Sequence, residues 1–154
     1  MKILIVSDTH RRDGNLQTVI EKTAPFDMLI HLGDAEGSED RIETWCREQN
    51  ENCQVHMILG NNDFFSNLER EKEISIGDYR AFLTHGHFYS VSVGTERLAD
   101  EARDRKAQIA TVSYTHQMCI RDRHRESASA RHRCSREILF STEMEKGLTM
   151  WLFT

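Results

Sequence analysis

Three short apolar runs, separated by segments with helical periodicity, constrain the fold of this chain more than any other feature of the sequence. The runs cover residues 2–6, 28–32 and 55–59. Continuous apolar runs rich in β-branched residues are typical of strands that are buried on both faces. Apolar residues at helical spacing lie between the runs: Leu16, Val19 and Ile20, then Ile42, Trp45 and Cys46. Alternation of strand and helix predicts an α/β fold with a parallel sheet covered by helices.

The pattern changes after residue 70. Two further strand candidates, residues 73–76 and 79–83, flank Gly77 and Asp78. A glycine in the first position of a two-residue loop is typical of a β-hairpin. A charged helix is expected over residues 95–106, and another strand over 109–112. Residues 117–137 show no sustained apolar period, so we predict one domain over residues 1–112 and an atypical, poorly ordered tail over 113–154.

Composition narrows the classes of function. The chain has 154 residues and a net charge of −5, which disfavours a nucleic-acid-binding protein that relies on bulk electrostatics. Small phosphorylated ligands remain possible partners, because bound metal ions can supply positive charge locally. The first apolar run is too short for a signal sequence or a membrane span, and the four cysteines form no CxxC pair. We therefore expect a cytoplasmic protein without a membrane partner.

Polar residues of the type that bind metals follow four of the predicted strands. The segments are DTH at residues 8–10, GD at 33–34, GNND at 60–63 and THGH at 84–87. Because the carboxyl ends of parallel strands share one edge of a sheet, side chains from these segments are expected to lie together. The candidate ligands are Asp8, His10, Asp34, Asn61 and His85.

The mixture of carboxylate, amide and imidazole ligands suits manganese, iron, zinc or nickel better than calcium. Two metal ions about 3.5–4 Å apart need one shared carboxylate. Each segment alone has a simpler explanation, such as a turn, a helix cap or a structural histidine. Four of them in this order, each after its own strand, indicate a metal site.

With these motifs the sequence resembles the calcineurin-like metallophosphoesterase superfamily, and most of all its compact YfcE-type phosphodiesterase branch. The resemblance implies a four-layer α/β-β/α sandwich with two divalent metal ions, manganese foremost. One ion would be held by Asp8, His10 and Asp34, and the other by Asp34, Asn61 and His85. The last three would be the catalytic residues. A metal-bridging hydroxide would then attack the phosphorus of a small phosphodiester or phosphomonoester.

The fifth motif of that family, GHTH, falls on residues 113–116, where this chain departs from it. His116 matches a ligand of the first metal, but Ser113 replaces the glycine and Tyr114 replaces a histidine. From about Val112 onward the sequence looks like a chimeric or frameshifted tail. The closing strands of the fold are therefore expected to be missing or replaced.

Two more residues bear on the chemistry. Asn62 stands where many relatives have a histidine, and an amide cannot act as a general acid at neutral pH. His87 is a candidate proton donor or supporting residue, with a purely structural role as the alternative. Other functions stay open beside the enzyme. The chain could be a catalytically impaired binding scaffold, since the retromer scaffold subunit resembles this fold, or a non-functional chimeric product.

Overall fold

The protein is described from a computed structural model that covers residues 1–113, together with the backbone of residues 140–144 and 148–153. Strands and helices alternate through the first three strands, as the sequence predicts. The strands are β1 (Lys2–Val6), β2 (Met28–His31), β3 (Gln54–Met57), β4 (Glu71–Ile76), β5 (Tyr79–Thr84), β6 (Ile109–Val112), β7 (Phe140–Met144) and β8 (Leu148–Phe153). The α-helices are α1 (Asp13–Thr23), α2 (Glu39–Gln49) and α3 (Glu96–Asp104), and a short 3-10 helix covers His87–Tyr89.

The first sheet has the strand order β3-β2-β1-β8-β7. Strands β1, β2 and β3 are parallel, with Ile5 opposite Ile30 and Ile30 opposite His56. The predicted parallel arrangement of these three strands is therefore confirmed. Helices α1 and α2 are the crossover connections, and the carboxyl ends of all three strands lie at the same edge.

The other two strands of this sheet come from the C-terminal part of the chain. Strand β8 is parallel to β1, with Lys2 opposite Thr149 and Val6 opposite Phe153. Strand β7 is antiparallel to β8. Closing strands were expected to be missing or replaced; β7 and β8 occupy this edge of the sheet, and whether they replace other strands stays a prediction. Residues 114–139, 145–147 and 154 lie outside the described part of the chain. The expectation that the tail is poorly ordered therefore also stays a prediction.

The second sheet has the order β4-β5-β6. Strands β4 and β5 form the predicted hairpin, in which Ile76 is opposite Tyr79. Gly77 has a φ of +58°, a conformation that favours glycine over residues with a Cβ atom. Strand β6 then returns parallel to β5 through the 3-10 helix and α3.

Side chains alternate between the two faces of β1 and define the layers. Ile3 and Ile5 pack in one buried cluster with residues of the second sheet, including Ile76 and Leu83. The opposite face of the first sheet packs against α1 and α2 through a second cluster: Leu4, Val6, Leu29, Leu16, Ile20, Ile42 and Cys46. The outer face of the second sheet packs against α3 through Phe82, Val112, Leu98 and Ala102. The order of layers is helix, sheet, sheet, helix, so the predicted α/β-β/α sandwich is confirmed. Among the described residues, no helix is both long and apolar enough to cross a membrane.

Candidate metal centre

The five ligand candidates lie at the carboxyl ends of four strands. Asp8 and His10 follow β1, Asp34 follows β2, Asn61 follows β3 and His85 follows β5. A cavity of about 290 Å³ opens there, between the edges of the two sheets. Its lining consists of Asp8, His10, Asp34, Asn61, Asn62, His85, His87, Val91, Ser92 and Ser113. The structure brings the five candidates together, as expected from their positions after the strands, and their role as metal ligands stays a proposal.

Asp34 lies near donor atoms of both ligand groups that the resemblance implies, and Asp8 of the first group also lies within reach of His85 of the second. One ligand atom each of Asp8, Asp34 and His85 lies within 4.8 Å of the others. His10 Nε2 is 4.0 Å from Asp8 Oδ1 and 3.9 Å from Asp34 Oδ2. His85 Nε2 is 3.7 Å from Asp34 Oδ2 and 2.9 Å from Asn61 Oδ1. A single carboxylate therefore faces two sets of donor atoms, which is the arrangement that a pair of metal ions requires.

The protonation of His85 fits a metal ligand. Its Nδ1 lies 2.6 Å from the backbone oxygen of Leu32, and a carbonyl oxygen can only accept, so Nδ1 carries a proton and donates it. In the neutral imidazole, Nε2 then presents a lone pair to the cavity beside the amide oxygen of Asn61. Two lone pairs facing each other at 2.9 Å are unfavourable unless a cation or proton lies between them. The donor set thus fits a divalent ion that accepts nitrogen and oxygen ligands.

Hydrogen bonds fix the orientation of the Asp34 carboxylate, which is only 1% exposed. The backbone nitrogen of Asn62 donates to Oδ1 at 2.8 Å, and the side-chain nitrogen of Asn62 donates to Oδ2 at 2.7 Å. Each carboxylate oxygen keeps a second lone pair that these hydrogen bonds do not use, and Oδ2 is the oxygen that lies near His10 and His85. Sequence reasoning considered Asn62 only as a replacement for a histidine. The structure shows that it positions the central carboxylate.

Asp63 connects two of the loops that carry ligands, and the sequence analysis did not identify it. Its carboxylate accepts hydrogen bonds from the backbone nitrogens of Asp34 (2.7 Å), Glu36 (2.6 Å) and Gly60 (2.8 Å). Its place as the last residue of the GNND segment was the signal that the sequence offered. A buried carboxylate with three N–H donors is well stabilised, so Asp63 fixes the position of Asp34 relative to the loop after β3.

Two glycines allow the same loops to approach each other. Gly33 has a φ of +104°, and a Cβ atom there would lie 2.7 Å from the Cα of Gly60. The glycine before Asp34 therefore permits the sharp turn of this loop. The close approach to Gly60 was not foreseen, because it depends on the packing of two separate loops.

Five neighbouring residues with side chains have positive φ angles: Asp8 (54°), His10 (45°), Arg11 (59°), Asp34 (62°) and Glu36 (54°). This region is uncommon for residues other than glycine and costs on the order of 1 kcal/mol or more at each position. Such conformations persist only when surrounding contacts impose them. Three of the five residues, Asp8, His10 and Asp34, are ligand candidates.

Glu36 supports His10 from the side away from the cavity and was also missed by the sequence analysis. Its Oε1 lies 2.6 Å from His10 Nδ1, which must donate because the carboxylate accepts. This hydrogen bond is the main cause that raises the pKa of His10 above its usual value, and the charges of Asp34, Glu36 and Asp8 add to it. With Nδ1 protonated, Nε2 is the atom available to a metal.

We expect Glu36→Gln to weaken manganese binding by roughly tenfold, because a carboxylate partner increases the basicity of a metal-bound imidazole. Calorimetric titration of the metal-free protein with manganese measures this affinity. Glu43→Gln is the matched control, since Glu43 forms a surface pair with Arg47 on α2. Equal affinities for the two variants would contradict a supporting role for Glu36.

Two further cavity residues complete the description. Burial lowers the pKa of His87, and the neighbouring His85 lowers it further, so His87 is an uncharged imidazole at neutral pH. Ser113 Oγ donates a hydrogen bond to Asp8 Oδ2. Residue 113 therefore does reach the site, as the alignment with the fifth motif predicts. Tyr114 and His116 lie outside the described residues, so the assignment of His116 as a ligand stays a prediction.

The protein has helix, sheet, sheet and helix layers, and a cavity lined by nitrogen and oxygen donor atoms lies between the edges of the two sheets. These features define a class of α/β protein with a candidate metal site. A model of the calcineurin-like phosphoesterase superfamily domain matches residues 1–131. The chain belongs to this superfamily. A probable metallophosphoesterase of Bacillus subtilis, YsnB, is 26% identical over 118 residues. That match covers 75% of this chain and 64% of the relative, so the chain spans less than two thirds of the relative's length.

Solved structures show the same fold at lower identity. A conserved predicted phosphoesterase from Streptococcus pneumoniae TIGR4 is 18% identical, with a TM-score of 0.61, over 97% of this chain and 70% of that one. Vps29 from Entamoeba histolytica, solved in complex with zinc, is 20% identical, with a TM-score of 0.59, over 96% of this chain and 72% of that one. These likenesses confirm the architecture that the sequence predicts.

Proposed function

We propose that the chain is a metal-dependent phosphoesterase that hydrolyses phosphodiester or phosphomonoester bonds of small substrates. The observation that carries this proposal is the position of Asp34, a buried carboxylate that faces two groups of donor atoms in an open cavity. Asp8 and His10 would hold one metal ion with Asp34, and Asn61 and His85 would hold the second with it. Manganese is the proposed metal, with iron, zinc or nickel as alternatives.

The chain's own residues bind and orient, and they provide few groups that transfer protons. Bound divalent ions would supply an activated water and neutralise negative charge on the phosphoryl group. Asn62 and Asp63 hold the Asp34 loop rigid, so the donor atoms need little rearrangement when substrate binds. Neutral His87 can form a hydrogen bond to a leaving group, but it does not carry the extra proton of a cationic acid.

We therefore expect a preference for phosphodiesters with good leaving groups. Bis-p-nitrophenyl phosphate should be hydrolysed in the presence of manganese, and a chelator should remove that activity. Readdition of manganese should restore it. Turnover that survives complete metal removal would rule out the proposed chemistry, and a folded protein that binds manganese without turnover would support the scaffold function instead.

A binding scaffold is the second candidate, and one observation favours it. Phe64 and Phe65 follow the cavity loop directly and are 78% and 100% exposed. Exposed aromatic residues often mark protein interfaces. Replacing both with serine should leave hydrolysis of a small substrate unchanged if the chain is an enzyme of small phosphoesters. A large loss of turnover in that variant would show that these rings contribute to the active site.

A further inference from the structure

The loops after β1 and β2 carry three of the five ligand candidates and are joined by backbone hydrogen bonds. The nitrogen of Asp8 donates to the oxygen of Gly33, and the nitrogen of His10 donates to the oxygen of Asp34, each at 3.0 Å. Asp8, His10 and Asp34 have positive φ angles within this ladder. A backbone of this kind requires additional contacts that impose it.

His31 provides such a contact beneath the two loops. It is the last residue of β2 and is completely buried. Its Nδ1 lies 3.3 Å from the backbone nitrogen of Gly33, and its Nε2 lies 3.1 Å from Thr9 Oγ1. Gly33 directly precedes Asp34, and Thr9 lies between Asp8 and His10. One imidazole therefore connects both loops through residues that are not themselves ligand candidates.

The chemistry of these partners determines the tautomer of His31. A backbone N–H can only donate, so Nδ1 of His31 must be the acceptor for Gly33. The proton of the neutral ring is then on Nε2, where it is donated to the hydroxyl of Thr9. Burial lowers the pKa of His31 to about 4, so this neutral form is present at pH 7. Each ring nitrogen thus has a defined partner.

Packing alone does not account for a histidine at this position. The neighbours of His31 in β2 are apolar and equally buried, and a leucine there would cost no desolvation of polar atoms. An imidazole is favourable only because both nitrogens find partners. Those partners belong to the two loops whose separation determines how far Asp8 and His10 lie from Asp34.

We propose that His31 is a positioning residue that sets the metal affinity of the site by linking the Thr9 loop to the Gly33 loop. The inference rests on the proposed metal-dependent function and extends it to a residue outside the cavity lining. Removing the link leaves the two loops joined only by their backbone hydrogen bonds, so they move more freely relative to each other and the donor atoms must be brought together when a metal binds. Supporting groups of this kind typically change metal affinity by roughly 10- to 100-fold.

The test is a manganese titration of metal-free protein for four proteins: wild type, His31→Phe, His31→Asn and His31→Gln. Phenylalanine removes both hydrogen bonds, asparagine keeps an acceptor near Gly33, and glutamine keeps a donor near Thr9. We expect roughly a 10- to 100-fold loss of affinity for the phenylalanine variant and partial recovery for the other two. The visible spectrum of the cobalt-loaded proteins should change in the same order, since it reports ligand geometry rather than stability.

His56→Phe is the matched control, because His56 is a half-buried strand histidine opposite Ile30 that does not line the cavity. Its manganese affinity should equal that of wild type. Should His31→Phe fail to fold, Thr9→Val removes only the hydroxyl partner and should still weaken binding several-fold, with recovery in Thr9→Ser. Unchanged affinity in His31→Phe or Thr9→Val overturns the proposal, as does an equal loss in the phenylalanine, asparagine and glutamine variants. Absence of manganese binding in the wild-type protein overturns the proposed function itself, which is a distinguishable result.

Discussion

Asp34→Asn should abolish metal-dependent hydrolysis, with a loss of turnover of at least about a thousandfold. Among the candidates that the structure describes, Asp34 has the carboxylate nearest to both histidines, 3.9 Å from His10 Nε2 and 3.7 Å from His85 Nε2, so its replacement weakens both metal positions together. An amide has the size of a carboxylate but no negative charge, and it offers one acceptor oxygen where the carboxylate offers two. Loss of about 4 kcal/mol of charge stabilisation in the transition state corresponds to roughly a thousandfold in rate.

Two measurements check this expectation. Turnover of bis-p-nitrophenyl phosphate gives the effect on rate, and the metal content after dialysis gives the effect on binding. Thermal unfolding adds an independent readout, because manganese should stabilise the wild-type protein against unfolding and should not stabilise the variant. Asp104→Asn, which changes an exposed carboxylate at the end of α3, is the control. An Asp34→Asn protein that keeps two metal ions and most of its turnover would contradict the central role of this carboxylate.

Among glycine-to-alanine changes in the described part of the molecule, we expect Gly60→Ala to reduce stability and metal binding the most. The added Cβ would lie 2.0 Å from Asp34 Oδ1 and 2.3 Å from the backbone nitrogen of Asp34. The side chain of Asp34 accepts a hydrogen bond from Asn62, and the backbone nitrogen of Asp34 donates one to Asp63. Neither part of Asp34 can therefore move aside without breaking a hydrogen bond. We expect a loss of about 3 kcal/mol in the free energy of unfolding, together with loss of metal binding.

Urea denaturation of the metal-free proteins measures the first effect and manganese titration the second. Gly14→Ala is the matched control, since Gly14 lies in α1 and a Cβ atom there would meet nothing within 4 Å. That substitution should stabilise the protein by about 0.5–1 kcal/mol, because alanine loses less conformational entropy than glycine in a helix. Equal stabilities for the two variants would show that the loops around Asp34 yield easily, contrary to the contacts described.

Apolar periodicity and turn residues were sufficient to predict the first three strands and the hairpin at Gly77, because they report local structure directly. The four layers were implied by the resemblance to the metallophosphoesterase superfamily. The grouping of Asp8, Asp34 and His85 was also predictable, since it follows from where parallel strands end. Hydrogen bonds between different loops were not predictable in the same way. His31, Glu36 and Asp63 form hydrogen bonds with residues that are distant along the chain. A local sequence pattern does not indicate which loop a buried polar group contacts.

Strands β7 and β8 illustrate a second limit. Apolar residues at 138–140 and 148–153 indicated segments able to pack, but the tract before them has no sustained period. The pairing of β8 with β1 joins residues near the two ends of the sequence, and separation of that size leaves no signal in a local window. The lack of a sustained apolar period before them therefore favoured a tail over a sheet edge.

The positive φ angles at Asp8, His10, Asp34 and Glu36 also restrict which mutations these positions tolerate for reasons separate from chemistry. Asparagine and glycine adopt this conformation readily, whereas valine and isoleucine do so at a large cost. In a population of sequences that had lost selection for hydrolysis, drift at these sites would still be confined largely to asparagine, aspartate and glycine. Backbone shape thus selects for such residues in an active enzyme and in an inactive descendant alike.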